Sequence, residues 1–233
     1  KQQYNCPKLI ALPDMVRSNL ANPPAMLDPV INIRRSSLSM WEAAAEIGAV
    51  FGKSPLVSLR AWNKSRRELT NHKTVNFAEG QPGNNTPLDP VNESNIRIAL
   101  ISHPYIVFDR QLSFDILGKL RGWGVSVITQ DMVSPGWVNQ AVSGLAKKMF
   151  WTYTERLMGA ALALLENSAV DGLIFLTCFC CGPDSLAGEM IGDKAARAGI
   201  PYLGLSLDEH SAEAGFVTRL EAFVDMLNWR ANG

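Results

Sequence analysis

From Asn95 to its end the chain alternates short aliphatic runs with amphipathic stretches, and this alternation limits its fold more than any other feature. Arg97–Ser102, Val125–Thr129, Gly172–Thr177 and Tyr202–Ser206 read as strands, each followed by a helical pattern at Leu112–Gly122, Ser143–Asn167, Ser185–Ala198 and Ala214–Asn228. Strands that are almost continuously Ile, Leu and Val are buried on both faces, and regular strand–helix alternation calls for right-handed crossovers between parallel neighbours. Residues 95–233 are therefore expected to form an α/β domain of Rossmann or flavodoxin type, a four-stranded parallel sheet flanked by helices. Ligands of such sheets sit outside the carboxyl ends of the strands, where the strand order reverses. The loops after Ser102, Thr129, Thr177 and Ser206 are the places to look for function.

Upstream the grammar changes. Residues 79–94 carry Gly, Pro and Asn at spacings that interrupt any regular element and read as a linker. Residues 1–78 are mostly helical in pattern, with Met15–Leu20, Ser37–Phe51 and Leu59–Leu69 as the helical stretches and one candidate strand at Val30–Ile33. This lobe is too short for a doubly wound domain. Because the chain opens at Lys1 without Met and runs at once into Tyr4-Asn5-Cys6-Pro7, the lobe is expected to be part of a larger, truncated domain.

Composition removes several classes of function. Of 233 residues, 47% are hydrophobic and 19% charged, enough apolar material for a substantial core. Lys plus Arg equals Asp plus Glu, and no basic run interleaved with aromatics occurs, so nucleic acid is not an expected partner. The longest apolar runs fall well short of the roughly 20 residues of a membrane helix, and no secretory signal opens the chain. A cytoplasmic location is the expectation. Three of the four cysteines crowd at Cys178, Cys180 and Cys181, which in a reducing compartment points to metal or redox chemistry rather than a disulfide framework.

Cys178-Phe179-Cys180-Cys181-Gly182-Pro183-Asp184-Ser185 follows the third strand and opens the next helix. Thiolates bind soft metals, and a helix amino terminus stabilises an anionic centre. Pro183 suits the first helical turn, and Asp184 or Ser185 can cap it. Against the metal reading stand cysteines that merely fill space at a strand end, and a Cys178-x-x-Cys181 dithiol. Cys6-Pro7 with Pro13-Asp14 repeats the grammar near the start. Ser102-His103-Pro104-Tyr105 places an imidazole just after the first strand, able to polarise a carbonyl or move a proton, or simply to shape a turn. Asp208-Glu209-His210 ends the fourth strand, with helix capping by Asp208 or Ser211 as the plainer explanation. Trp151 and Glu155 share one helix face. No phosphate-binding glycine loop, dinucleotide fingerprint, nucleophile elbow or His-Glu-x-x-His helix is present, so any ATP chemistry belongs to a partner.

Taken in order, Ile98–Tyr105, Trp151 with Glu155, Cys181–Ser185, Asp208–His210, Glu213–Gly215 and Thr218–Phe223 resemble the acyl-CoA dehydratase activase-related family, relatives of the D component of 2-hydroxyacyl-CoA dehydratases. Cys6-Pro7 with Pro13-Asp14 is similar to that family's upstream cysteine motif. The resemblance implies Rossmann-like lobes that hold a four-iron four-sulfur cluster through cysteines beside a CoA thioester. It also implies an ATP-driven activase that delivers an electron, so that a ketyl radical can eliminate water from a 2-hydroxyacyl-CoA. Cys6 and Cys181 are the ligands it carries over, and a third family cysteine is expected upstream of Lys1. Relatives have small or hydroxyl residues where this chain has Cys178 and Cys180, so either extra thiol is a candidate replacement ligand. His103 and Glu209 are then the candidates for proton transfer. Two functions follow: a cluster-bearing, oxygen-sensitive electron-transfer or catalytic module, or a non-catalytic domain that docks an activase module. A closed zinc site, needing four well-placed ligands, is the third option.

Overall fold

The computed structural model describes residues 6–32, 38–75 and 96–232, with side chains as far as 68 in the second stretch. Its contacts divide the chain into two compact units, one of residues Asn5–Thr74 and one running from Val75 onward. The 79–94 stretch read as a linker lies outside the described residues.

The first unit is helical over its described residues: α1 (Pro7–Asn19), α2 (Ser39–Val50) and α3 (Pro55–Val75). Helix α1 starts at Pro7, well before the Met15 expected from periodicity, because proline is pre-organised for a first helical turn. Cys6 caps it with its carbonyl, which accepts from the N–H groups of Leu9 and Ile10 at 3.1 and 3.3 Å. No strand forms at residues 30–32; Val30 and Ile31 are 84% and 56% exposed. A β-branched run without a neighbouring strand has nothing to pair with, and the described elements of this unit are all helices.

The second unit holds the expected four-stranded sheet. Strands β1 (Arg97–Ile101), β2 (Ser126–Thr129), β3 (Gly172–Cys178) and β4 (Tyr202–Leu207) pair in parallel in the order β2-β1-β3-β4. Helices follow as α4 (Pro104–Val107), α5 (Ile116–Gly122), α6 (Pro135–Ser143), α7 (Thr152–Glu166), α8 (Gly182–Arg197) and α9 (Glu213–Asn232). The two-residue alternation of a strand sorts the sheet's side chains into two cores. Ala99, Ile101, Leu173 and Phe175 join α6, α7 and α8 on one face, while Ile98, Leu100, Ile174 and Leu176 join α4, α5 and α9 on the other. Among the described residues no helix is long and apolar enough to cross a membrane.

Two helical expectations change. The stretch Ser143–Asn167 is split, because α6 ends at Ser143 and α7 begins only at Thr152. The stretch Leu112–Gly122 is helical only from Ile116, since Phe114 and Asp115 adopt left-handed φ of 50° and 53° that no α-helix continues through.

Each helix that leads directly into a strand closes in the same way. In α5, α7 and α8 the backbone turns left-handed at Gly124, Ser168 and Gly199. The next residue, Val125, Ala169 or Ile200, then donates back to Leu120, Leu164 or Ala195 at 2.9–3.0 Å. These are Schellman closures; Val125 and Ala169 after them are buried in the core, and Ile200, partly buried, packs against it. Close approaches set the layer spacing. A Cβ on Gly159 of α7 would lie 2.7–3.0 Å from Val142 and Val138 of α6. Gly188 and Gly192, one turn apart on α8, leave a groove that receives the Tyr202 ring of β4, whose hydroxyl donates to the Gly188 carbonyl at 3.0 Å.

Ser168 is the one non-glycine among the three closures. Replacing it with Gly removes a left-handed strain of about 1–2 kcal/mol and adds about 0.5–1 kcal/mol of unfolded-chain entropy, so Ser168→Gly is expected to stabilise by roughly 0.5 kcal/mol in urea unfolding. Burial, helped by the charge of Glu189, pushes the Tyr202 hydroxyl up from 10.0 to about 12. The folded state thus holds this proton more tightly than the unfolded chain, and the contribution is complete below pH 10.0 and disappears as pH rises to about 12. The stability difference between wild type and Tyr202→Phe should shrink across that window; a constant difference would show that the hydroxyl does not titrate as described.

Candidate functional site at the strand switch

In the order β2-β1-β3-β4 the chain leaves β1 toward β2 and then crosses back to β3 on the other side, so the order reverses between β1 and β3. The loops that follow these two strands carry His103 and Cys181.

Strand β1 runs out through buried Ser102 into His103, which caps α4 through its carbonyl. The imidazole is 8% exposed. Its Nε2 lies 2.7 Å from Oδ2 of Asp184, which is 1% exposed in the first turn of α8. The other oxygen of that carboxylate accepts the hydroxyl of Thr154, buried in the first turn of α7, at 3.0 Å. Tyr105 stacks on the imidazole with ring centres 5.2 Å apart and planes within 13°, and Tyr153 meets it edge-on at 5.9 Å. Both tyrosines are about half exposed and form a rim around a buried polar centre.

Burial alone would push the Asp184 carboxyl up. The hydrogen bond and charge of His103 outweigh it, with the Cys181 thiol and the Thr154 hydroxyl adding to them, and the carboxyl ends below its ordinary range. Three loops thus converge on one ionised carboxylate. Asp184 does not cap α8, as the sequence suggested. Cys181 occupies the N-cap position without a side-chain bond to the helix, and the Ser185 hydroxyl donates to the Cys181 carbonyl at 2.9 Å. Pro183 stands in the first turn as expected.

The cysteine loop presents its thiols in different settings. Cys178 ends β3 and packs against the α5–α9 core, whereas Cys180 is exposed with a left-handed φ of 65° in the turn closed by Cys181 N–H to the Cys178 carbonyl at 3.2 Å. Cys181 is half-buried and bonded to Asp184. None of the four cysteines is in a disulfide, and Cys6 belongs to the other unit, at the head of α1. Among the described residues no three His, Cys, Asp or Glu side chains converge to hold a metal ion.

Glu209 stands apart from His103. It lies on the loop after β4 with its side chain 83% exposed, 3.9 Å from the His210 imidazole. Asp208 does not cap α9; its carboxylate accepts from the His210 N–H and the Ser211 hydroxyl, both at 2.9 Å, and Ser211 in return accepts the Asp208 N–H. The Ser211 bond first, and His210 after it, hold the Asp208 carboxyl below its usual range. Trp151 precedes α7, and its carbonyl accepts from the Glu155 N–H at 2.9 Å.

Sequence reading missed Thr154 and Gln130. Gln130, 1% exposed, follows β2; its carbonyl accepts the Ser102 N–H at 3.3 Å and its amide donates to Asp131 at 3.1 Å, which in turn accepts from Arg156 of α7 at 2.7 Å. The bridge ties β2 and α7 to the end of β1, just before His103. Among the described residues the hydroxyls of Ser102 and Thr129 at these strand ends are buried without a partner. Gln130→Leu keeps the volume and leaves the buried Ser102 N–H unpaired, for an expected loss of about 1–3 kcal/mol in urea unfolding.

Neither a curated protein nor a solved structure matches the chain. Residues 1–133 match the family model of the CoA enzyme activase uncharacterised domain, which covers Cys6 and His103. Residues 68–227 match that of the 2-hydroxyglutaryl-CoA dehydratase D component, which covers all four strands together with His103, Thr154, Cys181 and Asp184. The chain belongs to the 2-hydroxyglutaryl-CoA dehydratase D-component family and carries the CoA enzyme activase uncharacterised domain.

Proposed function

We propose that this chain is an iron–sulfur-cluster module of a 2-hydroxyacyl-CoA dehydratase-like, activase-related system in the cytoplasm. It takes part in ATP-driven, low-potential electron transfer to a CoA thioester, with an activase as its electron-delivering partner. The observation that carries this reading is the buried His103–Asp184–Thr154 group beside Cys181 at the strand switch, inside the D-component match.

Among the described residues no closed metal cage is formed, and the cluster ligands are assigned to single thiols. Cys181, half-buried at the head of α8, has the chemistry of a ligand, because a helix amino terminus favours a thiolate and an anionic centre. Cys6 heads α1 in the same manner, with a proline immediately after it. Each is assigned one ligand, and Cys178 or Cys180 is the candidate for a further one. When bound, the cluster supplies one-electron reduction at low potential.

The protein's own groups bind, orient and move protons. Removing water from a 2-hydroxyacyl thioester breaks one C–H and one C–O bond and forms a C=C bond, so one proton leaves carbon and one accompanies the departing hydroxyl. His103 is the group assigned to that exchange, since its ring reaches the rim between Tyr105 and Tyr153 while its other side is anchored. Glu209, on the exposed loop after β4, is a second proton-transfer candidate.

Iron and acid-labile sulfide, with an electron paramagnetic resonance spectrum after reduction, test the proposal on anaerobically purified full-length protein and on its Cys181→Ala and Cys6→Ala variants. Stoichiometric iron in the wild type that falls sharply in both variants is the expected result. Iron-free wild-type protein would overturn the cluster and turn attention to a docking role for an activase module.

A further inference from the structure

We infer that Asp184 and Thr154 are positioning residues that lock His103 in one tautomer, so that Nε2 always carries a proton and any exchange of a proton with a substrate takes place at Nδ1. The inference deepens the proposed role of the strand-switch site and rests on it only for the identity of the substrate.

An ionised carboxylate accepts hydrogen bonds and donates none. One Asp184 oxygen is 3.0 Å from the Thr154 hydroxyl, whose proton must lie between them, and the other is 2.7 Å from His103 Nε2. That nitrogen therefore carries a proton whether the ring is neutral or cationic. The proton that comes and goes is the one on Nδ1. Rotating the ring by half a turn would keep its plane on Tyr105 but put a carbon where Nε2 stands, and the 2.7 Å bond to Asp184 would be lost. Thr154 performs for Asp184 what Asp184 performs for His103: at 3% exposure its hydroxyl has little access to water and holds the carboxylate in the rotation that faces the imidazole.

The arrangement fixes which nitrogen of the histidine after β1 meets the substrate. A neutral ring held as Nε2–H offers a lone pair at Nδ1 to a hydroxyl proton or a proton on an acidified carbon, and once protonated the same Nδ1 returns that proton to a substrate oxygen. The carboxylate holds one ring nitrogen and leaves the other to act, the same logic by which a buried aspartate orients the base of a hydrolytic triad.

Nitrogen-15 NMR on full-length protein labelled at histidine tests this. The chain has three histidines, so His72→Gln and His210→Gln variants assign the His103 signals. Wild type should show a protonated Nε2 whose proton is shielded from water exchange and, at alkaline pH, an unprotonated Nδ1. Asp184→Ala should lose the shielded Nε2 proton, Thr154→Val should weaken the shielding, and Thr154→Ser should restore it. A wild-type ring protonated at Nδ1 and bare at Nε2 overturns the inference without any variant. So does an Asp184→Ala spectrum unchanged from wild type. Iron assayed on the same samples separates the two claims: the expected spectrum in iron-free protein keeps the lock and removes the cluster, and iron-loaded protein with the opposite tautomer does the reverse.

Discussion

The pairing of β1 with β3 is the contact on which the rest of this fold depends. It is the central seam of a sheet covered on both faces, and it is fastened beyond the strands at both ends. At the amino end the Asp171 carboxylate accepts the Arg97 N–H at 2.7 Å, and the Asp171 N–H reaches the Arg97 carbonyl at 2.8 Å. At the carboxyl end the same two chain segments are joined by His103 and Asp184. Between the fastenings the seam is aliphatic, with Ile98, Ala99, Leu100 and Ile101 fully buried against Leu173, Ile174 and Phe175. A seam of that composition leaves no room for polar groups within the strands, and chemistry is displaced to where they end.

Such a displacement has an energetic consequence. A carboxylate that is 1% exposed is costly unless its lone pairs are occupied, and Asp184 meets the condition with partners drawn from β1, α7 and its own loop. Loss of a single partner leaves a buried charge partly uncompensated. The group is therefore a specificity device as much as a source of stability: the arrangement in which all three loops are in place is the one in which the charge is satisfied.

How much of this was legible in the sequence follows the range of the interactions concerned. The four strands were visible because aliphatic runs are a local signal, and their observed limits differ from the expected ones by a single residue at one end. Helix boundaries were read less well where a backbone conformation, and not a hydrophobic pattern, sets the start, as at Phe114 and Asp115. The rim position of His103 and Cys181 was legible from topology alone. Asp184 and Thr154 were not, because their meaning depends on contacts 81 and 30 residues away along the chain, and a first-turn aspartate is ordinarily a cap. Of the candidate strand at Val30–Ile33, the described residues 30–32 show the opposite error, a local propensity with no partner strand among the described residues of that unit.

The fit of Tyr202 into the groove of Gly188 and Gly192 has a reach beyond the edge strand. An α-helix is stiff along its axis, so whatever fixes one point of α8 lengthwise fixes its first turn as well. The Tyr202 ring, wedged between two bare stretches of helix backbone and bonded to the Gly188 carbonyl, acts as an index pin against sliding. The placement of Asp184 and Cys181 is thereby referred to a tyrosine that touches neither of them. The tolerance of the chemistry at one end of the helix is machined into the aromatic fit farther down its length.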